Sequence, residues 1–257
     1  MPSLQIPDLA GKVFLVTGAS TGIGAAVAIA LGQQGARVAV HYNASAGPAK
    51  AVVAAIEKAG AEALPVKGDV MSAGGPAAIV EKAAAHFGRL DGLINNAGGL
   101  VKRTPIPEGD DAFDHAVFDL NAHSVIRATR AALPWLKKQG GVIINTTSVS
   151  ARNGGGNGAV LYSAAKGFVS TVTRGMAKEF VGLRIRVNAI APGLIATPFH
   201  ERGTPEPVFK AQEASIPMGR AGTPEECVGA YLFLASDALS GYITGQVIEV
   251  NGGQLMP

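Results

Sequence analysis

Short runs of apolar, often β-branched residues recur along the chain, with longer alanine-rich stretches between them. Most of the short runs show no alternation of apolar and polar positions, so they predict strands buried on both faces of a parallel sheet. The longer stretches have the length and composition of helices. The predicted strands span residues 13–16, 37–41, 63–66, 92–94, 142–145, 186–190 and 247–250, and the predicted helices span residues 23–34, 46–59, 76–87, 111–138, 160–181 and 224–235.

Strand and helix alternate throughout this prediction. Such alternation is typical of an α/β fold with a doubly wound, seven-stranded parallel sheet flanked by helices. No repeat, linker or low-complexity segment divides the sequence, so we expect one Rossmann-like domain over residues 1–257. Residues 191–222 are rich in proline and glycine and are predicted to be irregular, with a substrate lid at about residues 193–222.

The composition adds a further indication. Of the 257 residues, 47% are hydrophobic, 16% are charged and 34 are glycine. An apolar chain with so few charges is not intrinsically disordered. The glycine content is about twice the usual share of roughly 7%, which indicates tight turns or close approach of the backbone to a ligand.

Charge and histidine placement exclude several classes of partner. The net charge is +3, but no Lys/Arg cluster with interleaved aromatic residues occurs, so we expect no nucleic-acid partner. No apolar run is long enough to span a membrane, and residues 1–10 lack the pattern of a secretion signal, so we expect a cytoplasmic protein. The five histidines are scattered, so we expect no metal site, and we expect His200 at the surface, with substrate contact as the alternative.

A glycine-rich turn joins the first predicted strand to the first predicted helix. Gly18, Gly22 and Gly24 give the spacing G-x-x-x-G-x-G. Glycines let the backbone approach a pyrophosphate, and the free amides at a helix start favour its negative charge. The sequence therefore predicts a dinucleotide site, with a packing turn that binds no ligand as the alternative.

Polar and glycine residues follow the third and fourth predicted strands. Asp69 is placed to accept a hydrogen bond from an adenine amino group, although it is equally placed to cap a helix. Residues 95–99 read Asn-Asn-Ala-Gly-Gly and end the fourth strand. Ligands of open α/β sheets bind outside the carboxyl ends of the strands, so we expect both segments beside the glycine turn.

A serine, a tyrosine and a lysine are predicted at the same edge of the sheet. Tyr162 and Lys166 are four residues apart and share one helix face, and Ser148 follows the fifth predicted strand. A phenol has a pKa of about 10, which a neighbouring ammonium lowers by stabilising the phenolate. The three residues thus predict acid–base chemistry on a substrate oxygen.

Together these motifs resemble the short-chain dehydrogenase/reductase family, in its single-domain branch. The resemblance covers essentially the whole chain, and the motifs follow the order of that family. They are the turn at residues 17–24, Asp69, the segment 95–98, Asn121, Ser148, Tyr162-x-x-x-Lys166 and Pro192-Gly193.

The resemblance implies an oxidoreductase that transfers a hydride between NADP(H) or NAD(H) and an alcohol/carbonyl pair. It implies that Tyr162 is the general acid/base, that Ser148 orients the carbonyl oxygen, and that Lys166 lowers the pKa of Tyr162 and binds the ribose. Asn121 would hold a water linked to Lys166. The implied cofactor-binding residues are Gly18, Ser20, Thr21, Gly22, Ile23, Gly24, Tyr42, Asn43, Asp69, Val70, Asn95, Ala97, Gly98, Tyr162, Lys166, Pro192, Gly193, Ile195 and Thr197.

The chain departs from the family pattern between Ser148 and Tyr162. These residues are 14 positions apart, and relatives usually have one residue fewer. We place the extra residue in the glycine-rich segment 153–158. Ser150 is the alternative to Ser148 as the catalytic serine.

Three finer expectations complete the sequence-based prediction. The second strand ends in Tyr42 and Asn43 and not in the acid that NAD-preferring relatives carry there, so we favour NADP(H), with NAD(H) as the alternative. The apolar C-terminal segment resembles the last strand of the family, which implies a homotetramer or a homodimer. Two other functions stay open: nicotinamide-assisted dehydration or epimerisation, and a non-catalytic cofactor-binding regulatory role.

Overall fold

The computed structural model describes residues 5–256, apart from the side chains of residues 202 and 203. Residues 1–4, part of the segment on which the cytoplasmic expectation rests, lie outside that range. The fold is built on one seven-stranded parallel sheet with the strand order β3-β2-β1-β4-β5-β6-β7. The strands are β1 (Val13–Val16), β2 (Arg37–Tyr42), β3 (Ala63–Lys67), β4 (Gly92–Asn95), β5 (Gly141–Thr146), β6 (Ile185–Pro192) and β7 (Val247–Val250). The predicted fold class is confirmed.

Helices cover both faces of the sheet. Those longer than a few residues are α1 (Gly22–Gln33), α2 (Ala46–Lys58), α3 (Gly75–Phe87), α4 (Asp111–Phe118), α5 (Ser124–Leu136), α7 (Val160–Phe180), α8 (Pro198–Gly203), α9 (Glu206–Ala214) and α10 (Pro224–Ala235). Two single-turn helices, α6 (Ser150–Asn153) and α11 (Asp237–Ser240), complete the α-helices of the described residues, together with 3-10 turns at Pro7–Leu9, Ile106–Glu108 and Val181–Leu183. No helix within the described range is long and apolar enough to cross a membrane.

Apolar and polar residues do not alternate in the strands because a hydrophobic core lies on each face of the sheet. In β1, Phe14 and Val16 join the core under α1, α2 and α10, whereas Val13 and Leu15 join the core under α3, α5 and α7. Successive side chains of a strand point to opposite faces, so both sets must be apolar. This arrangement explains why the strand runs could be read from the sequence.

Two sequence predictions about local structure were wrong. The predicted helix 111–138 is divided into α4 and α5 by a π-helical turn, Asp119–His123, which contains Asn121. The predicted irregular segment contains α8 and α9, each with proline in its first turn. Proline is tolerated there because the first amides of a helix have no partner within it. Pro198 and Pro207 therefore lie at helix starts, which their sequence context did not reveal.

The strand order reverses beside β1, which pairs with β2 on one side and β4 on the other. At such a point the crossovers leave in opposite directions and open a crevice at the carboxyl ends of the strands. The segments that follow β1 to β6 all reach this crevice. The fold thus gathers the predicted motifs at one edge.

Candidate active site

A cleft of about 1230 Å³ lies at the carboxyl ends of the strands. It brings together most of the residues predicted to act in catalysis or cofactor binding. They are Gly18, Ser20, Thr21, Gly22, Ile23, Tyr42, Asn43, Asp69, Val70, Ala97, Gly98, Ser148, Tyr162, Lys166, Pro192, Gly193, Ile195 and Thr197. Three of the predicted residues, Gly24, Asn95 and Asn121, are not part of this lining.

The start of α1 is suited to an anionic group. Thr21 is its N-cap residue but makes no side-chain capping hydrogen bond within the described structure. The first amides of a helix have no intrahelical partner, and the helix dipole adds positive potential there. Ser20, Thr21 and Gly22 line the cleft at this point. A pyrophosphate would satisfy these amides.

The prediction for Asn95 and Gly24 needs correction. The Asn95 amide is buried below the cleft and donates to Asn145 Oδ1 at 2.9 Å. Its neighbour Asn96 lines the cleft and donates to the Thr17 carbonyl at 3.0 Å and to the Gly18 carbonyl at 3.1 Å. A Cβ at Gly24 would collide with the Asn96 amide and the Gly18 carbonyl. Gly24 is therefore required for packing, because it leaves room for the Asn96 side chain to hydrogen-bond the backbone of the glycine turn.

A buried histidine, which the sequence did not single out for this role, holds the same turn from the other side. His41 Nδ1 accepts a hydrogen bond from the Gly18 amide at 2.9 Å, and Nε2 lies 3.2 Å from the Gly68 carbonyl. This pairing requires the neutral tautomer with hydrogen on Nε2. Burial is the main cause that lowers the pKa of His41 below its ordinary value of 6.5, while Gly68 and Asp69 oppose it. His41 is therefore a neutral bridge from β2 to the glycine turn and the end of β3.

Asp69 serves the turn that follows β3. Its Oδ1 accepts a hydrogen bond from the Met71 amide at 2.9 Å. The residue also lines the cleft with Val70. Asp69 does not cap α3, which begins after Gly74, and its contact with an adenine stays a prediction.

Ser148 and Tyr162 form a hydrogen bond in the cleft. Ser150 lies behind Ser148 and donates to its Oγ twice, from Ser150 Oγ at 2.8 Å and from the Ser150 amide at 3.2 Å. Ser148, and not Ser150, is therefore the serine in hydrogen-bond contact with Tyr162, although both line the cleft.

Lys166 lies beside the Tyr162 ring. Its Nζ is 5.7 Å from the ring centroid and donates to the Thr146 carbonyl at 2.8 Å. Thr147 Oγ1 donates to the Lys166 carbonyl at 2.8 Å, which fixes α7 to the end of β5. This link sets the position of Tyr162 and Lys166 relative to Ser148.

Burial shifts the pKa of both titratable groups toward their neutral forms. The pKa of Tyr162 is raised to about 12 by burial, which the hydrogen bond to Ser148 opposes. Lys166 is only 3% exposed, and this burial lowers its pKa to about 8. The expected lowering of the Tyr162 pKa by Lys166 is not found, because desolvation of the phenol is the largest cause of the shift and Lys166 is not among its causes. Tyr162 is therefore protonated at neutral pH.

Asn121 lies below the cleft and does not line its wall. Its Oδ1 accepts from the Gly99 amide at 2.9 Å, and its Nδ2 donates to the Gly99 carbonyl at 2.8 Å. A Cβ at Gly98 would lie 2.8 Å from Asn121 Oδ1 and 3.0 Å from Lys166 Nζ. Asn121 thus fixes the strand exit beside Lys166, and the π-helical turn brings it there.

The segment 193–222 closes the far side of the cleft with aromatic rings. The Phe199 ring centroid is 5.7 Å from that of Tyr162 and 4.9 Å from that of His200. His200 in turn lies 5.6 Å from Phe209. The expectation of a surface position for His200 was wrong, because α8 turns it into the cleft. Burial and the charge of Arg103 lower the pKa of His200 to about 4.

Arg103 connects this segment to the opposite wall. Its Nη1 donates to the Asn157 carbonyl and its Nη2 donates to Thr204 Oγ1, each at 3.2 Å. No group of three or more His, Cys, Asp or Glu side chains within the described residues is arranged to hold a metal ion.

Comparison with known proteins identifies the family. A family model described as enoyl-(acyl carrier protein) reductase matches residues 18–254. A 3-oxoacyl-[acyl-carrier-protein] reductase of Synechocystis sp. is 41% identical over 96% of this chain and 98% of its own. A cis-4-hydroxycyclohexanecarboxylate dehydrogenase of Sinomonas cyclohexanicum is 39% identical over 95% of this chain and 96% of its own.

Solved structures agree with this assignment. The NADH-dependent reductase A1-R' complexed with NAD matches with a TM-score of 0.88 and 38% identity, over 98% of this chain and 100% of that one. These proteins are oxidoreductases, and they favour neither the dehydration or epimerisation alternative nor the regulatory one. The chain belongs to the short-chain dehydrogenase/reductase family and is an oxidoreductase that binds a nicotinamide cofactor.

Proposed function

We propose that the protein reduces the carbonyl group of a small molecule with a reduced nicotinamide, with Tyr162 as the proton donor. One observation carries this proposal: Tyr162, Ser148 and Lys166 meet at the wall of the cleft that the glycine turn also lines. A proton donor, an oxygen-binding hydroxyl and a cation are thereby assembled beside a dinucleotide site.

The residues present fit a nicotinamide dinucleotide. The uncapped start of α1 would bind the pyrophosphate, and Tyr42, Asn43 and Asp69 would surround the adenosine. Pro192, Gly193, Ile195 and Thr197 would contact the nicotinamide end, because Pro192 ends β6 and all four residues line the cleft that Tyr162 also lines. When bound, the reduced nicotinamide supplies the hydride for the carbonyl carbon.

The protein's own residues handle the oxygen and its proton. Ser148 would bind the carbonyl oxygen and stabilise the negative charge that develops on it. Tyr162 Oη would donate its proton to that oxygen, for which its raised pKa suits it. The Lys166 ammonium, near the ring, would stabilise the phenolate that is left. Asn121 would hold Gly99 and the neighbouring backbone in place for Lys166.

The test is a panel of aldehydes, ketones, sugars and acyl thioesters with both reduced nicotinamides, read by the absorbance of the cofactor. We expect consumption of cofactor that depends on the carbonyl compound and yields the alcohol in equal amount. Turnover of a substrate with no net consumption of cofactor would contradict the proposal.

We further propose NADP(H) as the preferred cofactor. The residues that line the cleft from the end of β2 onward are Tyr42, Asn43, Ala44 and Ser45, and none carries a negative charge that would repel a ribose phosphate. Asn43 and Ser45 offer hydrogen-bond donors to it. Wild-type kcat/KM should be higher with NADPH than with NADH, and Asn43→Asp should reverse the preference while Asn43→Ala should only reduce it. A wild-type preference for NADH of about tenfold or more would overturn this proposal.

The assembly, the lid and the compartment are also proposals. Val160 and Phe168 on α7 are 49% and 37% exposed, and β7 is half-buried along its length at the edge of the sheet. Such apolar surface suits a homotetramer, with a homodimer as the alternative, and light scattering distinguishes both from a monomer.

We propose that segment 193–222 is the substrate lid. The lone Cys227 cannot form an internal disulfide, which suits the cytoplasm, and imaging of the tagged protein tests that location.

A further inference from the structure

Cations predominate in the substrate half of the cleft, by which we mean the part between Tyr162 and the segments 153–158 and 198–212. Lys102 and Arg103 line this half, on the segment that follows β4. Among the described residues that line the whole cleft, the acids are Asp69, at the adenosine end, and Glu201. The site around a bound substrate is therefore richer in positive than in negative charge.

Arg103 is fixed in position by both walls of the cleft. One wall supplies the Asn157 carbonyl and the other supplies Thr204 Oγ1, each 3.2 Å from a guanidinium nitrogen. A guanidinium held in this way loses little further conformational freedom when it binds a ligand.

The charge of Arg103 reaches the substrate half directly. It is one of the two causes that lower the pKa of His200. The His200 ring contacts Phe199, which contacts the ring of Tyr162. Arg103 thus lies at the end of an aromatic wall that begins at the catalytic tyrosine.

A second donor converges on the same place. A Cβ at Gly156 would lie 3.8 Å from Arg103 Nη1 and 3.8 Å from Gln212 Nε2. These nitrogens come from the segment after β4 and from α9, and they meet beside a residue that has no side chain. N–H donors from two segments beside a residue that has no side chain suit a carboxylate, which accepts hydrogen bonds at two oxygens.

We propose that Arg103 and Gln212 form an anion subsite, and that the physiological substrate is a carbonyl compound that also carries a carboxylate. This inference rests on the proposed function, since the carbonyl is taken to lie at Tyr162 and Ser148. Because the Phe199 and His200 rings separate Tyr162 from Arg103, the carboxylate lies several bonds from the carbonyl. Substrates are thereby selected by charge at one end and by reactivity at the other.

The proposal is tested with oxo acids and their methyl esters, which differ in charge and share the carbonyl. Levulinate and its longer homologues, each with its ester, are the probes. In the wild-type enzyme we expect kcat/KM for at least one acid to exceed that of its ester by about tenfold or more. Arg103→Gln should raise KM for that acid by roughly 10- to 100-fold and leave KM for the ester within about twofold.

Further variants separate charge from structure. Arg103→Lys should restore part of the preference for the acid, because it keeps the charge but loses the planar donor pair. Gln212→Ala should raise KM for the acid by about three- to tenfold. Lys210→Gln removes a cation from α9 that does not line the cleft, so it should leave KM unchanged for both the acid and the ester. Thermal melting of each variant shows that it is folded.

Two results would overturn the anion subsite. One is equal loss of activity on acid and ester in Arg103→Gln, which would mean that Arg103 only ties the walls together. The other is a wild-type enzyme that reduces each ester as well as its acid. If the wild-type enzyme reduces neither the acids nor the esters, glutarate is tested as an inhibitor of the reduction of a neutral carbonyl compound that the enzyme does accept. Weak inhibition by glutarate that is unchanged in Arg103→Gln would also overturn the subsite. Failure to reduce any carbonyl compound would instead contradict the proposed function.

Discussion

Ser150 donates two hydrogen bonds to the hydroxyl oxygen of Ser148, from its own Oγ at 2.8 Å and from its amide at 3.2 Å. A hydroxyl oxygen has two acceptor lone pairs and one proton. With both lone pairs engaged by Ser150, the Ser148 proton is directed away from it. Tyr162 is the partner on that side. Ser148 is thus prepared to act as a donor to an oxygen.

Ser148→Ala should lower kcat for carbonyl reduction by roughly 10²–10³-fold, because a hydrogen bond to the developing oxyanion is lost. Cofactor affinity, measured by fluorescence titration, should stay within about threefold. Ser163→Ala is the matched control, since the Ser163 hydroxyl donates to the Ala159 carbonyl and does not line the cleft. Near-wild-type turnover in Ser148→Ala would move the catalytic role to Ser150.

Ser150→Ala should have a smaller effect, a loss in kcat of about three- to tenfold, as expected when one supporting hydrogen bond is removed. KM for the cofactor should not change. Ser150→Thr keeps the hydroxyl donor and should recover most of the activity. If Ser150→Thr is as impaired as Ser150→Ala, the effect comes from packing and not from hydrogen bonding to Ser148.

The rate of reduction should fall as the pH rises through about 8. The pKa of Lys166 is lowered to about 8, so the ammonium that stabilises the Tyr162 phenolate is present below this pH and lost above it. Tyr162 itself stays protonated over the same range, because its pKa is raised to about 12. Oxidation of an alcohol needs the phenolate, so it should not rise through the same pH range, because Tyr162 ionises only near pH 12.

Lys166→Arg is the matched variant for this pH dependence. Arginine keeps its charge at every accessible pH, so the remaining reductase activity should show no decline near pH 8. Lys166→Met should have low activity at all pH values. A decline near the same pH in Lys166→Arg would assign the titration to another group.

Cofactor binding should depend on the neutral imidazole of His41. Protonation puts a hydrogen on Nδ1, the atom that accepts from the Gly18 amide, and so breaks the bridge. Because the pKa of His41 is lowered from 6.5, the loss should begin only below that pH. KM for the cofactor should rise as the pH falls, without a matching change in kcat.

Substitution of His41 gives a complementary result. His41→Asn offers an amide that can accept and donate, and it should bind the cofactor better than His41→Ala, for which we expect KM to rise about tenfold. If both variants bind the cofactor like wild type, the bridge does not support the glycine turn.

The sequence was sufficient for the fold and for placing Ser148, Tyr162 and Lys166 at one cleft. Strands such as β1 are apolar at every position because two cores require it, and Tyr162 and Lys166 are linked by helical spacing alone. The sequence could not separate Asn95 from Asn96, since only tertiary contacts decide which amide reaches the Gly18 carbonyl.

Other features depend on contacts between residues far apart in the chain. His41 meets Gly18 and Gly68 only after β1, β2 and β3 have paired. Arg103 meets Thr204 across 101 positions of sequence. The π-helical turn at Asn121 interrupts a pattern that reads as one helix, and periodicity carries no signal for it.

The most direct test of proton donation by Tyr162 is the Tyr162→Phe variant, which removes one oxygen atom and keeps the ring that packs against Phe199. Carbonyl reduction and cofactor binding are measured on the same preparation. We predict that kcat/KM for reduction falls by roughly 10²–10⁴-fold while the Kd of the reduced nicotinamide stays within about threefold of wild type. A folded Tyr162→Phe enzyme that binds the cofactor and keeps more than about a tenth of wild-type activity would contradict the assignment of Tyr162 as the proton donor.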